Sequence, residues 1–191
     1  MTTTAGFPAI ASTNARVLIL GSMPGVRSLE ARQYYAHPHN AFWRILGELC
    51  GFPPAASYRE RTRQLRARGI ALWDVLLSCE RSGSLDSSIV RASMRTNDFA
   101  GFLARHRGIG LVLCNGGTAF ELFSVRVRPA LPPPWNEVPC LRMPSTSPAN
   151  AGLRVPQKLA AWQKALAPVL VASRVAEARR AGVRHQRERI T

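Results

Sequence analysis

The side chains able to do chemistry cluster at four points along the chain. Gly21-Ser22-Met23-Pro24-Gly25 follows the apolar run Val17-Leu18-Ile19-Leu20, and Tyr35-Ala36-His37-Pro38-His39-Asn40-Ala41-Phe42-Trp43 begins ten residues later. Asp74, one of only three aspartates with Asp86 and Asp98, ends the run Ile70-Ala71-Leu72-Trp73. Pro144-Ser145-Thr146-Ser147-Pro148-Ala149-Asn150 closes the set. Hydroxyls and amides suit phosphate oxygens and polar ring edges, while a carboxylate accepts hydrogen bonds from ring N–H groups. A Gly- and Pro-bracketed loop followed by an aromatic, amide-bearing segment describes a ligand pocket at the carboxyl end of a sheet strand.

Four short apolar runs have to position these residues: 16–21, 70–75, 110–115 and 138–143. Each is nearly uniformly apolar, as a strand buried on both faces requires. Helical spacing over 40–50, 57–68, 97–106 and 118–125 alternates with them, so the pattern predicts an α/β fold, a single three-layer domain with a four-stranded parallel sheet flanked by helices. Phe99, Phe102, Leu103 and His106 share one helical face behind an Asn97-Asp98 start, and the two phenylalanines belong to the core. Leu131-Pro132-Pro133-Pro134-Trp135 reads as an extended surface loop. From Val155 a helical pattern carries Leu159, Trp162, Leu166, Val169 and Leu170, with Pro168 expected to kink or restart it. The domain is expected to span residues 1–175, with 176–191 a basic, fraying C-terminal tail.

At 191 residues and 46% apolar content, one domain with a full core is expected. No run approaches a membrane span and the N-terminus lacks the character of a secretory signal, so a cytoplasmic protein that contacts no membrane is the expectation. Cys50, Cys79, Cys114 and Cys140 are far apart, without metal-ligand spacing, and read as reduced thiols. Neither Gly-x-Gly-x-x-Gly nor a phosphate-loop lysine motif follows any strand, so a dinucleotide cofactor and phosphoryl transfer from a nucleoside triphosphate are disfavoured. Charge points elsewhere: 26 Lys+Arg against 11 Asp+Glu gives +15 and a surface suited to a polyanion, nucleic acid first. Arg59, Arg61, Arg63, Arg66 and Arg68 form one cluster, and six arginines over 174–189 form another. An arginine bias inherited from codon usage is the competing explanation.

Together these segments resemble the uracil-DNA glycosylase superfamily. Gly-Ser-Met-Pro-Gly, Tyr-Ala-His-Pro-x-Asn-x-Phe-Trp and Pro-Ser-Thr-Ser-Pro-Ala-Asn occur in the family's order over about residues 16–163, and are most similar to the hypoxanthine-DNA (deoxyinosine) glycosylase branch. Where mismatch-specific uracil and thymine glycosylases carry a water-positioning Asn in the first motif, this chain has Met23. The resemblance implies that Asn40 takes over that task in the hypoxanthine branch; capping the helix that follows is its other reading. It implies that Gly21, Ser22 and Met23 floor the base site, that Tyr35 stacks on the extruded base, and that Asp74 reads the base edge. Packing against Tyr34 and an ion pair with an arginine are the respective alternatives for Tyr35 and Asp74. Ser145, Thr146, Ser147 and Asn150 would contact DNA in a loop that wedges into the gap left by the flipped nucleotide, or form an ordinary Ser/Pro turn. His37 and His39 stand between protonating a departing purine and shaping the turn.

The function so implied is that of a monofunctional, monomeric glycosylase that needs no metal or cofactor, excises hypoxanthine from DNA containing deaminated bases, and leaves an abasic site for base excision repair. Lys158 and Lys164, the only lysines, lie outside the three motifs, so no amine is at hand to form a Schiff base with the sugar. A uracil or broad deaminated-base glycosylase is the nearest alternative. A noncatalytic DNA-binding module with a degenerate glycosylase fold, and an enzyme acting on free nucleosides, are alternatives of other classes.

Overall fold

The computed structural model describes residues 3–188, with side chains described for 3–173. Its centre is a parallel sheet. Strand β1 (Thr3–Ala5) lies outside it, whereas β2 (Val17–Gly21) and β3 (Ile70–Asp74) pair in parallel, Val17 opposite Ile70 and Gly21 opposite Asp74. Strand β4 (Leu76–Glu80) turns away after Val75 and forms an antiparallel sheet with β1 and with β5 (Arg95–Thr96). Strands β6 (Leu111–Asn115) and β7 (Cys140–Met143) complete the main sheet in the order β3-β2-β6-β7.

Successive residues on these strands point to opposite faces, and the core divides accordingly. Leu18, Leu20, Ala71, Trp73, Val112 and Cys114 pack beneath α4 (Phe99–Arg105) and α5 (Gly117–Leu122). Val17, Ile19, Ile70, Leu72 and Leu113 pack against α2 (Phe42–Cys50), α3 (Tyr58–Ala67) and α6 (Val155–Glu188). Along β2, β3 and most of β6 both faces are therefore dry, which is why these strands read as apolar runs, whereas the edge strand β7 exposes Leu141 and Arg142. The outer edge of β3 is covered by the N-terminal segment, where Ile10 and Leu72 exchange two 2.8 Å backbone hydrogen bonds.

The expected strands and helices are present. Ser57 caps α3 through Glu60 N–H, and Asp98 caps α4 through Gly101 N–H, so the polar residue before each apolar pattern sets the start. Helix α5 passes into one wide π turn over Phe123–Val127.

The last helix does not restart at Pro168: it runs on from Val155 to Glu188, with the proline on an exposed turn where water can take the carbonyl it leaves free. The backbone of 176–188 continues that helix, and residues 189–191 of the expected basic tail lie outside the described residues. The small antiparallel sheet and α1 (Val26–Ala31) have no counterpart in the sequence pattern. Leu76–Glu80 merges with the Ile70–Val75 run, and six residues without a side-chain cap give α1 too short a period to detect.

Candidate active site

The carboxyl ends of β2, β3, β6 and β7 open into one cavity of about 820 Å³. Gly21 to Gly25 form one wall, Tyr35, His37 and Asn40 a second, Asp74 and Asp86 a third, and Pro144 to Asn150 with Arg142 the fourth. Of the anticipated site residues, the cavity thus gathers Gly21, Ser22, Met23, Tyr35, Asn40, Asp74, Ser145, Ser147 and Asn150.

The floor is set by backbone. Val75 N–H donates to Gly21 O at 2.8 Å and Leu76 N–H to Ser22 O at 3.1 Å, so the loop after β2 is laced to the end of β3. Asp74 is thereby brought over Gly21. A Cβ on Gly21 would lie 2.3 Å from Asp74 Oδ1 and 2.9 Å from the Tyr35 hydroxyl, so only glycine leaves room for both. Met23 lines the cavity yet is only 6% exposed, and most of its side chain is packed into the core beneath α4 and α5.

Asp74 is 3% exposed, and its Oδ2 is buried without a hydrogen-bond partner. Among the described residues no cation lies within ion-pairing distance, so the ion-pair alternative does not hold. Burial, then the charge of Asp86, push its carboxyl up to about 7, and Arg81 offsets this only in part. Asp86 was not singled out from the sequence. It belongs to a short turn after β4, where its Oδ1 accepts from Ser22 Oγ at 2.7 Å.

Tyr35 is held at φ +54°, a left-handed conformation that costs a bulky residue about 1–3 kcal/mol. Its neighbours hold it there. Ala36 N–H donates to the buried Ser28 hydroxyl, and Trp43 Nε1 donates to Tyr34 O at 2.7 Å. One face of the Tyr35 ring stacks on Phe42 with centroids 3.9 Å apart. Phe42 is wholly buried behind it, so the ring is braced from the core side while it lines the cavity. The Tyr35 hydroxyl is buried beside Asn115 without a well-formed hydrogen bond, and burial raises its pKa.

Asn40 stands both at the start of α2 and on the cavity wall. Its Oδ1 accepts from Phe42 N–H at 3.0 Å, which starts α2, and the side chain also lines the cavity. An amide oxygen has two lone pairs, so one remains for a second donor. The backbone beside it is tied across the site, because Ala41 N–H donates to Thr146 O at 3.0 Å.

Thr146 has a different task from the one anticipated. It is 1% exposed, and Asn115 at the end of β6 clasps it twice, Nδ2 donating to Thr146 Oγ1 and Oδ1 accepting from Thr146 N–H, both at 2.9 Å. The hydroxyl is occupied and buried, so Thr146 braces Asn40 and the loop instead of reaching DNA. Ser145 and Ser147 make local turns through Ser147 N–H and Ala149 N–H. Helix α6 holds this loop at both ends: Trp162 Nε1 donates to Pro144 O at 3.1 Å and Lys158 Nζ to Asn150 O at 2.8 Å. Lys158 is thus an anchor of the third motif, although it does not line the cavity.

Among the described residues the arginines at the cavity lie outside the 59–68 cluster. Arg27 and Arg142 line it, whereas Arg61 lies over Trp43 and Arg63 pairs with Glu60 on α3, away from the cavity. The 174–189 cluster falls where side chains lie outside the described residues. Arg142 extends across the start of α5, its guanidinium close to Gly117. Only its place beside Met143-Pro144-Ser145 could have marked it in the sequence. His37 lines the cavity and its Nδ1 accepts from His39 N–H at 3.2 Å, which shapes the turn before Asn40. Among the described residues no three His, Cys, Asp or Glu side chains are grouped to hold a metal ion. No described helix is long and apolar enough to cross a membrane.

Fold and cavity define a three-layer α/β protein with a polar site, walled by an aromatic ring, an amide and a carboxyl, at the switch point of a parallel sheet. The sequence matches the Uracil DNA glycosylase superfamily over residues 7–167, and the chain belongs to that superfamily. The Hypoxanthine DNA glycosylases of Methanosarcina acetivorans and Methanosarcina barkeri are each 38% identical over 117 residues, covering 61% of this chain and 73% of theirs. A solution NMR structure from Methanosarcina acetivorans, described as a candidate uracil DNA glycosylase, superposes with a TM-score of 0.69 at 30% identity, covering 85% of this chain and 98% of that one.

Proposed function

We propose that this chain is a monofunctional DNA glycosylase that excises hypoxanthine. The observation that carries the reading is the convergence of Tyr35, Asn40 and Asp74 on one cavity at the strand ends. A flipped purine loses its stacking in the duplex, and the open face of Tyr35, backed by Phe42, restores part of it. Asp74 then meets the base edge. Its buried, unpartnered Oδ2 accepts the N1–H of hypoxanthine, a donor that adenine lacks at that position.

Asn40 supplies the water. The lone pair not used by Phe42 N–H accepts a hydrogen bond from a water facing C1′, and the amide dipole favours positive charge developing on the sugar. The C1′–N9 bond breaks with its electron pair leaving on the base, and the water oxygen then bonds C1′. One water proton remains on the new hydroxyl, and the other goes through solvent to the departing base. The products are free hypoxanthine and an abasic site. Ser145, Ser147 and Asn150 contact the phosphate backbone from a loop stiffened by Pro144 and Pro148, and Arg27 and Arg142 add charge at the rim. One chain supplies every wall, which supports action as a monomer, and a DNA substrate supports a cytoplasmic, nucleoid-associated enzyme.

The test is a panel of duplexes containing hypoxanthine, uracil or xanthine, scored for free base and for alkali-labile sites. Hypoxanthine release without strand nicking is expected. Tight DNA binding with no release from any duplex would favour the noncatalytic module, for which the core-packed Met23 in place of a catalytic amide is the supporting observation.

A further inference from the structure

The geometry points to the loop 82–88, with Leu85 at its tip, as a second DNA-contacting jaw facing the loop 144–150 across the cavity mouth. The inference rests on the DNA-glycosylase reading of the same site. Loop 82–88 follows β4, the strand that leaves the main sheet beyond β3, whereas loop 144–150 follows β7 at the opposite edge. The cavity above β2 therefore has one loop on each side, and residues of both line it.

Loop 82–88 is fixed in place although its surface is open. Ser84 Oγ accepts from Val26 N–H at 3.0 Å, Ser22 Oγ donates to Asp86 Oδ1 at 2.7 Å, and the buried Arg81 donates to Pro24 O. All three hydrogen bonds bind it to the wall that floors the base site. Its position is thus locked to that of the cavity.

On this anchored loop Leu85 is 56% exposed at the cavity rim, and Leu153 is 39% exposed on the facing rim. A leucine held in water costs free energy that burial would recover. Everting a nucleotide opens a gap between two neighbouring base pairs, and apolar side chains fill such gaps. Apart from the half-buried Asp86, whose Oδ1 is held by Ser22 Oγ, the remaining loop residues are serines and a glycine, small and neutral enough for close approach to the backbone: Ser82, Gly83, Ser84 and Ser87 are all exposed. Leu85 enters the base stack on its own side of the everted nucleotide, and Leu153 is placed to do so on the other.

The test is the affinity of wild-type, Leu85→Ala and Leu85→Met proteins, by fluorescence anisotropy, for a duplex carrying a tetrahydrofuran abasic analogue and for the same strand alone. Leu85→Ala should weaken duplex binding by about tenfold, the effect of leaving an apolar side chain of this size unburied, and change single-strand binding less than about twofold. Leu85→Met should restore the duplex value. Equal losses on duplex and single strand, no loss on either, or no rescue by methionine would overturn the jaw. The analogue carries no base, so failure of the wild type to release hypoxanthine would count against the proposed function and leave this result readable.

Discussion

Replacing Asp74 by Asn should make the protein more stable at high pH. The carboxyl is 3% exposed, has no partner on Oδ2, and is pushed from its ordinary value near 3.8 up to about 7 by burial and by Asp86. A pKa raised in the folded state means that folding holds a proton the unfolded chain releases. Asp74 therefore contributes its full stability below about pH 4, and that contribution is lost as pH rises towards about 7 and is constant above it. Three pH units at about 1.4 kcal/mol each give about 4 kcal/mol across that window. Asn fills almost the same space and does not titrate. Urea unfolding of both proteins at pH 4.5, 6.0 and 7.5, followed through the tryptophan fluorescence to which the adjacent Trp73 contributes, measures the difference directly. The unfolding free energy of Asp74→Asn minus wild type should climb by several kcal/mol from the lowest to the highest pH. Parallel stability curves, or a difference that falls with pH, would refute the view of Asp74 as a desolvated, unpaired carboxyl kept for ligand recognition.

Four more outcomes are expected. Gly21→Ala drives a methyl group into Asp74 Oδ1 and the Tyr35 hydroxyl, so it should cost about 1–3 kcal/mol in thermal unfolding and about 100-fold in single-turnover excision, from displaced base contacts. Asn40→Ala should lose about 1 kcal/mol of stability with the start of α2, but about 100- to 1,000-fold in excision with little change in DNA affinity; a rate loss no larger than the stability loss would leave Asn40 as a cap only. Preference for hypoxanthine over adenine should increase as pH passes through about 7, because an ionised Asp74 repels the N1 lone pair of adenine, and Asp74→Asn should remove that dependence in competition assays. Borohydride should trap no enzyme–DNA adduct.

The main sheet was legible because β2, β3 and most of β6 are buried on both faces and so give short apolar runs, while β7, whose Leu141 and Arg142 are exposed, was marked only by the short apolar run around it. The helices were legible from their period and from Ser57 and Asp98 at their starts. What escaped was structure whose signal is weak or merged. Strand β4 continues an apolar run already assigned to β3, and α1 is less than two turns long. In the site, residues at strand ends could be listed, but not who grips whom. Thr146 and Ser147 look alike in sequence, yet the clasp from Asn115 buries one and leaves the other at the cavity. Asp86 reads as a loop acid until Ser22 draws it to the site. Charge density does not locate the cavity either, since no residue of the arginine-rich α3 lines it and the described arginines that do, Arg27 and Arg142, stand outside both clusters.

In the proposed mechanism, water placed by Asn40 releases hypoxanthine held between Tyr35 and Asp74. Its most direct test is a single-turnover reaction on a hypoxanthine-containing duplex, with free base measured by liquid chromatography and mass spectrometry for wild type and Asn40→Ala side by side. One free hypoxanthine for each abasic site is expected from the wild type, and almost none from the variant at equal DNA occupancy. Release by Asn40→Ala at the wild-type rate, or no release by the wild type, would contradict it.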